Sequence, residues 1–196
     1  MNLANKITLA RIGLIPLFVF FLQPYSEWMT EKFSLLQHIE NYGVYWAVAT
    51  FIIAAATDKF DGYIARRYNQ ITNLGKLLDP MADKLLIAIA LIMMVQDKQI
   101  TTWIAVVIIG REMLVSGIRI LAAAKGVALA ADRYGKIKLL FQVIAIVAVL
   151  LSSQFKGIAG VFPIAYLLMM IAVVLTIYSG VNYLRKNYRR LDLNIM

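Results

Sequence analysis

Residues 58–83 read Asp58-Lys-Phe-Asp61-Gly62-Tyr-Ile-Ala65-Arg66, then eight residues, then Gly75-Lys-Leu-Leu-Asp79-Pro-Met-Ala-Asp83. This stretch holds four of the eleven acidic residues of the chain and joins two strongly apolar segments. A carboxylate without a partner is costly to remove from water, and one beside an apolar span is normally absent. The four aspartates are therefore expected to have a ligand that offsets this cost.

The aspartates form two pairs at helical spacing. Asp58 and Asp61 are three residues apart, and Asp79 and Asp83 are four residues apart. Residues at these spacings project from one face of an α-helix. We expect each pair to share a face of its own helix and the two pairs to converge.

Small residues and one arginine accompany the two pairs. Gly62, Ala65 and Arg66 share the face of the first pair, and Gly75 lies one turn before the second pair. Small side chains let a ligand approach the helix backbone, and an arginine fork can hold a phosphate oxygen. The pattern indicates an anionic pocket with a cationic rim.

Two converging carboxylate pairs are suited to hard divalent cations, of which Mg²⁺ is the usual one where phosphates are handled. Four ligands from two helices predict a two-metal site with ions about 3.5–4 Å apart, which would serve a phosphoryl transfer. Any single pair is more often a helix cap or a surface acid. Eight specified positions in one register favour the metal site.

The pattern Asp-x2-Asp-Gly-x2-Ala-Arg-x8-Gly-x3-Asp-x3-Asp resembles the signature of the CDP-alcohol phosphotransferases. Members of this family are integral membrane enzymes that move a substituted phosphate from a CDP-linked donor to an alcohol. The resemblance implies a metal site made by the four aspartates, with two Mg²⁺ ions or Mn²⁺ in their place. It implies that the CDP pocket is lined by Gly62, Ala65, Arg66 and Gly75. It also implies that Asp83 acts as the general base.

The composition indicates a polytopic membrane protein. The chain has 196 residues, of which 61% are hydrophobic, and a mean hydropathy of +0.73. A soluble domain is far less apolar, so we expect one all-α membrane domain over residues 1–196. The absence of cysteine excludes disulfides and thiolate chemistry, and His38, the single histidine, excludes a multi-histidine metal site.

The net charge of +9 is typical of a chain that binds nucleic acid or anionic lipid. The basic residues flank apolar spans and do not form a continuous stripe with interleaved aromatic residues. This distribution favours membrane lipids as partners and predicts no nucleic-acid binding.

Hydropathy predicts six transmembrane helices preceded by a short interfacial helix at residues 5–11. The predicted spans cover residues 12–22, 42–57, 76–95, 101–124, 139–153 and 159–184. Residues 23–41 are predicted to be a polar connection, and polar turns are expected at 67–73 and 97–98.

Basic residues in alternate loops orient the chain. The three loops on one side hold only Lys32, Lys98 and Lys156, whereas nearly all other basic residues lie on the side of the motif. By the positive-inside rule, both termini and the site are expected on the cytosolic side of the cell membrane.

A second group of charges predicts a pocket for the acceptor. Arg111 and Arg119 are eight residues apart and face broadly the same way, and Lys136 and Lys138 begin the next helix. Gly135 is expected to precede that helix and leave its positive amino end open. These groups together would receive a phosphate dianion.

A second interpretation stays open for these residues. Lys136 and Lys138 can be membrane anchors, and Arg111 can pair with Glu112 or with a motif aspartate. Since adjacent helical residues do not face each other, an Arg111–Glu112 pair is expected to need partners from other helices.

Two further segments resemble the branch of the family whose acceptor is sn-glycerol 3-phosphate. They are Gly110-Arg111-Glu112-Met with Gly117-Ile-Arg119, and Gly135-Lys136-Ile-Lys138. The opening Asn5-x2-Thr8-x2-Arg11 is also similar and implies support for the donor's diphosphate or nucleotide. One departure is Leu139, where the branch often has a hydroxyl residue.

The resemblance implies transfer of a phosphatidyl group from CDP-diacylglycerol to glycerol 3-phosphate, with release of phosphatidylglycerophosphate and CMP, by a homodimer. Two alternatives remain. One is the same chemistry with inositol phosphate, serine or a lipid alcohol as acceptor. The other is a divalent-cation transporter, because acids between spans can also line an ion path.

Overall fold

A computed structural model describes residues 3–67, 73–124, 133–155 and 160–191, and within them the side chains of 9–57, 81–82, 84–123, 135–155 and 160–187. These parts of the chain are helical and contain no strand, which confirms the predicted all-α class. The helices are α1 (Leu3–Leu22), α2 (Glu27–Lys32), α3 (Ser34–Arg67), α4 (Asn73–Gln96), α5 (Thr102–Ala124), α6 (Arg133–Ser152) and α7 (Val161–Leu191), with a 3-10 turn at Ser153–Phe155.

Three segments of the described chain are long and apolar enough to cross a membrane. They are Ser34–Thr57, Gly135–Phe155 and Val161–Asn187. Leu9–Leu22 and Lys84–Gln96 are shorter apolar helices. The structure therefore supports a membrane protein with three candidate spans and leaves the predicted total of six unconfirmed.

The predicted polar connection at residues 23–41 is wrong. Residues Glu27–Lys32 form α2, and α3 begins at Ser34 rather than near residue 42. Leu36 and Ile39 are buried, and their spacing of three residues gives this charged segment an apolar helical stripe. The charged residues of the segment lie on the remaining faces and do not interrupt the helix.

The predicted interfacial helix at residues 5–11 is not a separate element. The segment continues without a break into the first apolar run, so that α1 extends from Leu3 to Leu22. Pro16 lies inside α1 and removes one backbone donor without ending the helix.

The tight turn between α4 and α5 is present as predicted. Lys98 has a left-handed backbone with φ of 57°. The amides of Asp97 and Lys98 donate to the carbonyl oxygens of Met93 and Val95, both at 3.0 Å, and so close the end of α4. Burial raises the pKa of the Asp97 carboxyl.

Four helix contacts determine where the functional end of the molecule lies. Helix α1 packs against α3 and α4, and α7 packs against α5 and α6. Phe18 of α1 and Phe51 of α3 are fully buried, with ring centroids 5.8 Å apart. The carboxyl end of α3 is thereby fixed beside the amino half of α1.

The crossing of α1 and α3 depends on Gly43. A Cβ at this position would lie 2.3 Å from the carbonyl oxygen of Phe21. The two backbones approach so closely that no larger residue fits without moving a helix.

We expect Gly43→Ala to force α1 and α3 apart, at a cost of about 1–3 kcal/mol. The apparent unfolding temperature of the purified protein in detergent should then fall by about 2–10 °C. Gly13→Ala is the matched control, because nothing lies within 4 Å of a Cβ at that position of α1. Equal unfolding temperatures for the two variants would contradict the close crossing.

Candidate active site

The motif aspartates lie on two helices, as predicted. Asp58 and Asp61 belong to α3, and Asp79 and Asp83 belong to α4. Their side chains lie outside the described residues, so the predicted metal site stays a prediction. The same holds for the side chains of the expected donor-pocket residues Asn5, Thr8, Gly62, Ala65, Arg66 and Gly75. Among the side chains that are described, no three acids or histidines cluster as metal ligands.

Arg11 connects α1 to the first half of the motif. Its side chain is 0% exposed, and its Nε donates to the Thr57 hydroxyl at 3.2 Å. Thr57 immediately precedes Asp58, and its own hydroxyl donates to the carbonyl of Ala54 at 2.7 Å. The structure therefore places Arg11 next to the motif end of α3, where it was expected to support the donor.

Lys84 connects the second half of the motif to α5. It follows Asp83 directly, and its ammonium donates to the hydroxyl of Ser116. That hydroxyl in turn donates to the carbonyl of Glu112 at 2.5 Å. The end of the motif on α4 is thus joined to the centre of α5 by a chain of two hydrogen bonds.

Six side chains from four helices form what we call the polar cluster. They are Lys84 of α4, Arg111, Glu112 and Ser116 of α5, Lys138 of α6 and Ser179 of α7. Glu112 Oε1 is at the centre, since it accepts from Lys138 Nζ and lies 3.3 Å from Arg111 Nη1. Arg111 Nη2 donates to Ser179 Oγ at 2.8 Å.

The polar cluster carries an excess of positive charge. Lys138 is 4% exposed, and Lys84 and Arg111 are both close enough to repel its ammonium. Arg111 and Lys138 both contact the single carboxylate of Glu112, so these two cations exceed it by one positive charge. A group of this kind in an apolar setting is favourable only when an anion joins it.

Arg111 is held closely against α7. A Cβ at Gly180 would lie 3.1 Å from Arg111 Cγ, so the glycine leaves room for the arginine stem. Arg111 Nε is buried and has no hydrogen-bond partner among the described residues. One turn after Lys138 on α6, the side chain of Gln142 donates to the Thr176 hydroxyl of α7 at 2.9 Å.

The four predicted acceptor residues do not form one compact group. Arg111 and Lys138 meet at Glu112, whereas Arg119 lies over the ring of Tyr183, with 5.3 Å from its guanidinium carbon to the ring centroid. Arg119 Nε also lies 3.4 Å from the Tyr183 hydroxyl. Lys136 is exposed on α6.

One expectation about this region is corrected. Helix α6 begins at Arg133, so Gly135 lies inside its first turn and does not precede the helix. Arg111 contacts the adjacent Glu112, and the pair has the expected partners on other helices, Lys138 of α6 and Ser179 of α7. The interpretation that Arg111 pairs with Glu112 is therefore supported.

Sequence reasoning did not identify Lys84, Ser116, Ser179 or Gly180 as parts of this region. Only Lys84 had a usable signal, since it is an ionisable residue at the start of an apolar run and follows the last motif aspartate. A serine or glycine in an apolar helix is too common to indicate a site.

A groove of about 400 Å³ lies between α4 and α5 and is almost entirely apolar. Its walls include Ile92 and Val95 of α4 and Val106 and Ile109 of α5. Surfaces of this kind in a membrane are suited to hydrocarbon chains.

Comparison with known proteins gives one family. The sequence profile of the CDP-alcohol phosphatidyltransferases matches residues 1–178. A Bacillus subtilis (strain 168) protein named CDP-diacylglycerol–glycerol-3-phosphate 3-phosphatidyltransferase is 42% identical over 195 residues, which is 97% of each chain.

Two relatives from other organisms have the same name. The protein of Rickettsia felis is 34% identical over 184 residues, which cover 94% of each chain. The protein of Pseudomonas fluorescens is 37% identical over 192 residues, which cover 94% of this chain and 89% of its own. Similarity to these relatives therefore extends over nearly the whole chain.

Proposed function

The chain belongs to the CDP-alcohol phosphatidyltransferase family, and we propose that it transfers the phosphatidyl group of CDP-diacylglycerol to sn-glycerol 3-phosphate, giving phosphatidylglycerophosphate and CMP. The substrates are those in the names of its near-full-length relatives. The structural observation that carries the proposal is the excess of positive charge where Arg111 and Lys138 meet the one carboxylate of Glu112. This point is joined to the motif through Ser116 and Lys84. An acceptor with a phosphate dianion matches this excess, whereas a neutral alcohol does not.

The donor set fits divalent metal ions. Four carboxylates at helical spacing on α3 and α4 are hard oxygen ligands of the type that Mg²⁺ prefers, and Mn²⁺ accepts the same ligands. Asp58, Asp61, Asp79 and Asp83 would hold two ions. When bound, the ions would neutralise the diphosphate and stabilise the departing CMP.

The residues of the chain act on both substrates in this proposal. Asp83 takes the proton of the 1-hydroxyl of glycerol 3-phosphate as that oxygen attacks the phosphorus that carries the diacylglycerol. A new oxygen–phosphorus bond forms and the bond to CMP breaks. General-base catalysis accelerates the reaction by about 10²–10⁴-fold, so positioning and electrostatic stabilisation supply most of the remaining rate enhancement.

The donor pocket is proposed to include residues from three helices. Arg66 and Arg11 face the anionic part of the donor, and the buried position of Arg11 beside Thr57 supports this role. The other proposed members are Asn5, Thr8, Gly62, Ala65 and Gly75. The acyl chains of the donor would lie along apolar helix surfaces such as the groove between α4 and α5.

Four residues were expected to bind the acceptor phosphate, namely Arg111, Arg119, Lys136 and Lys138. We propose that Arg111 contacts the phosphate directly and that Lys138 positions Glu112. Arg111 is the central residue of this set, because it lies in the polar cluster and keeps a buried Nε without a partner among the described residues. Lys138 is covered by Glu112 and acts through it, while Arg119 and Lys136 lie nearer the surface.

The membrane arrangement is also a proposal. The long helices α1, α3, α4, α5, α6 and α7 would make six spans, with both termini and the site on the cytosolic side of the cell membrane. The distribution of basic residues supports this orientation. A homodimer, which the family resemblance implies, is part of the same proposal.

The proposed function is tested by CMP release from purified protein with CDP-diacylglycerol and Mg²⁺. The acceptors to compare are glycerol 3-phosphate, inositol phosphate, serine and a long-chain alcohol. We expect CMP release with glycerol 3-phosphate and little with the others. Release with a different acceptor alone would overturn the acceptor assignment, and no release with any acceptor would overturn the enzyme class and favour a cation transporter.

We expect Asp83→Asn to lower turnover by at least about 10²-fold, because it removes the proposed base and one metal ligand. The variant should keep some affinity for the CDP-lipid, measured by equilibrium binding. Asp97→Asn is the control, since it makes the same change at the turn beyond the other end of α4. A near-native rate for Asp83→Asn would show that this carboxylate is not the base.

We expect Arg111→Ala to raise the KM for glycerol 3-phosphate at least tenfold, as expected for a charged hydrogen bond, and to change the KM for CDP-diacylglycerol much less. Gly180→Ala should have a smaller effect of the same kind, because the new methyl displaces the arginine stem. Steady-state kinetics with each substrate varied in turn give both constants. An unchanged KM for glycerol 3-phosphate in Arg111→Ala would show that Arg111 does not bind the acceptor and has a structural role only.

A further inference from the structure

Glu112 is an unexpected residue in a pocket for an anion. It is a carboxylate in the middle of the polar cluster, and it would repel the phosphate that the neighbouring cations attract. If Glu112 served only as the ion-pair partner of Lys138, its carboxylate could be as deeply buried as Lys138. The Glu112 side chain is instead 17% exposed, more than that of Arg111 at 14% or Lys138 at 4%.

The contacts of Glu112 fix one end of its carboxylate and leave the other end open. Oε1 meets both Lys138 and Arg111. The backbone carbonyl of Glu112 accepts from Ser116, which itself accepts from Lys84. Within the described part of the chain, Oε2 makes no hydrogen bond or ion pair.

The chemistry of Oε2 restricts what it can bind. An ionised carboxylate oxygen only accepts hydrogen bonds, so its partner must be a donor such as a hydroxyl group. The contact with Lys138 holds the orientation of the Glu112 carboxylate, which makes Oε2 a preorganised acceptor. Arg111 and Lys138 both contact this one carboxylate, so positive charge remains in excess and a phosphate can still bind beside it.

We propose that Glu112 Oε2 accepts a hydrogen bond from the free 2-hydroxyl of the acceptor, and so selects a phosphorylated polyol over a simple phosphorylated alcohol. This inference rests on the proposed function. In this arrangement Arg111 binds the phosphate of the acceptor, Asp83 is the proposed base for the 1-hydroxyl, and Glu112 recognises the 2-hydroxyl. Lys138 is a positioning residue for Glu112.

The test compares two acceptors that differ by one hydroxyl group. Glycerol 3-phosphate has the 2-hydroxyl, whereas 3-hydroxypropyl phosphate lacks it and keeps the attacking hydroxyl and the phosphate. A hydrogen bond to an ionised group is worth about tenfold to a hundredfold. We expect the unaltered enzyme to prefer glycerol 3-phosphate by this factor in kcat/KM, measured by CMP release.

Two variants then examine Glu112 itself. Glu112→Gln is close in shape and removes the charge. The double variant Glu112→Met with Lys138→Met removes one negative and one positive charge, so the net charge of the polar cluster does not change. We expect the preference to fall several-fold in Glu112→Gln, whose amide oxygen still accepts a neutral hydrogen bond. It should fall below about threefold in the double variant, which removes the acceptor.

A control variant separates the loss of acceptor preference from a general loss of folded enzyme. Glu27→Gln makes the same change on α2, away from the polar cluster, and should leave the preference unchanged. Because the preference is a ratio within one enzyme preparation, partial loss of folded protein does not alter it.

The outcomes distinguish the two proposals. Equal use of both acceptors by the unaltered enzyme, or a preference that persists in both variants, would overturn the role of Glu112 and leave the transferase proposal intact. If no CMP is released with either acceptor, the transferase proposal itself is overturned.

Discussion

The buried contact between Glu112 and Lys138 is the interaction on which the functional end of the molecule depends. It joins α5 to α6. Arg111 of α5 in turn donates a hydrogen bond to Ser179 of α7. Removing one partner of a buried ion pair typically costs about 3–5 kcal/mol, because the other charge is left without compensation. Four helices are thus held in register by a single carboxylate and the groups around it.

Apolar packing and polar contacts have separate tasks in this fold. The close crossing of α1 and α3 at Gly43 places Arg11 beside Thr57, at the residue that precedes the motif. Hydrogen bonds through Ser116 then join the opposite half of the motif to α5. The donor and acceptor regions are therefore linked through helix backbones rather than through loops, which favours accurate relative positions.

Sequence reasoning predicted the helical class, the spacing of the aspartates on two helices and the turn at Lys98, because each depends on local periodicity or on a local turn. It missed α2, whose six residues are too few to show a period. It also missed the contact of Glu112 with Lys138, since the two residues lie on different helices more than twenty residues apart in the chain. Contacts between distant helices have no signature in a single sequence.

The charges of α5 have a consequence for how the protein enters a membrane. A helix with Arg111, Glu112 and Arg119 is a poor candidate for stable residence in lipid by itself, because each charge at the centre of an isolated helix costs about 2.5–3.5 kcal/mol on insertion scales. Its neutralising and hydrogen-bonding partners arrive later in synthesis, on α6 and α7. In the proposed six-span arrangement, α5 would therefore stay at the insertion machinery until the last two helices emerge, and these three helices would leave it together.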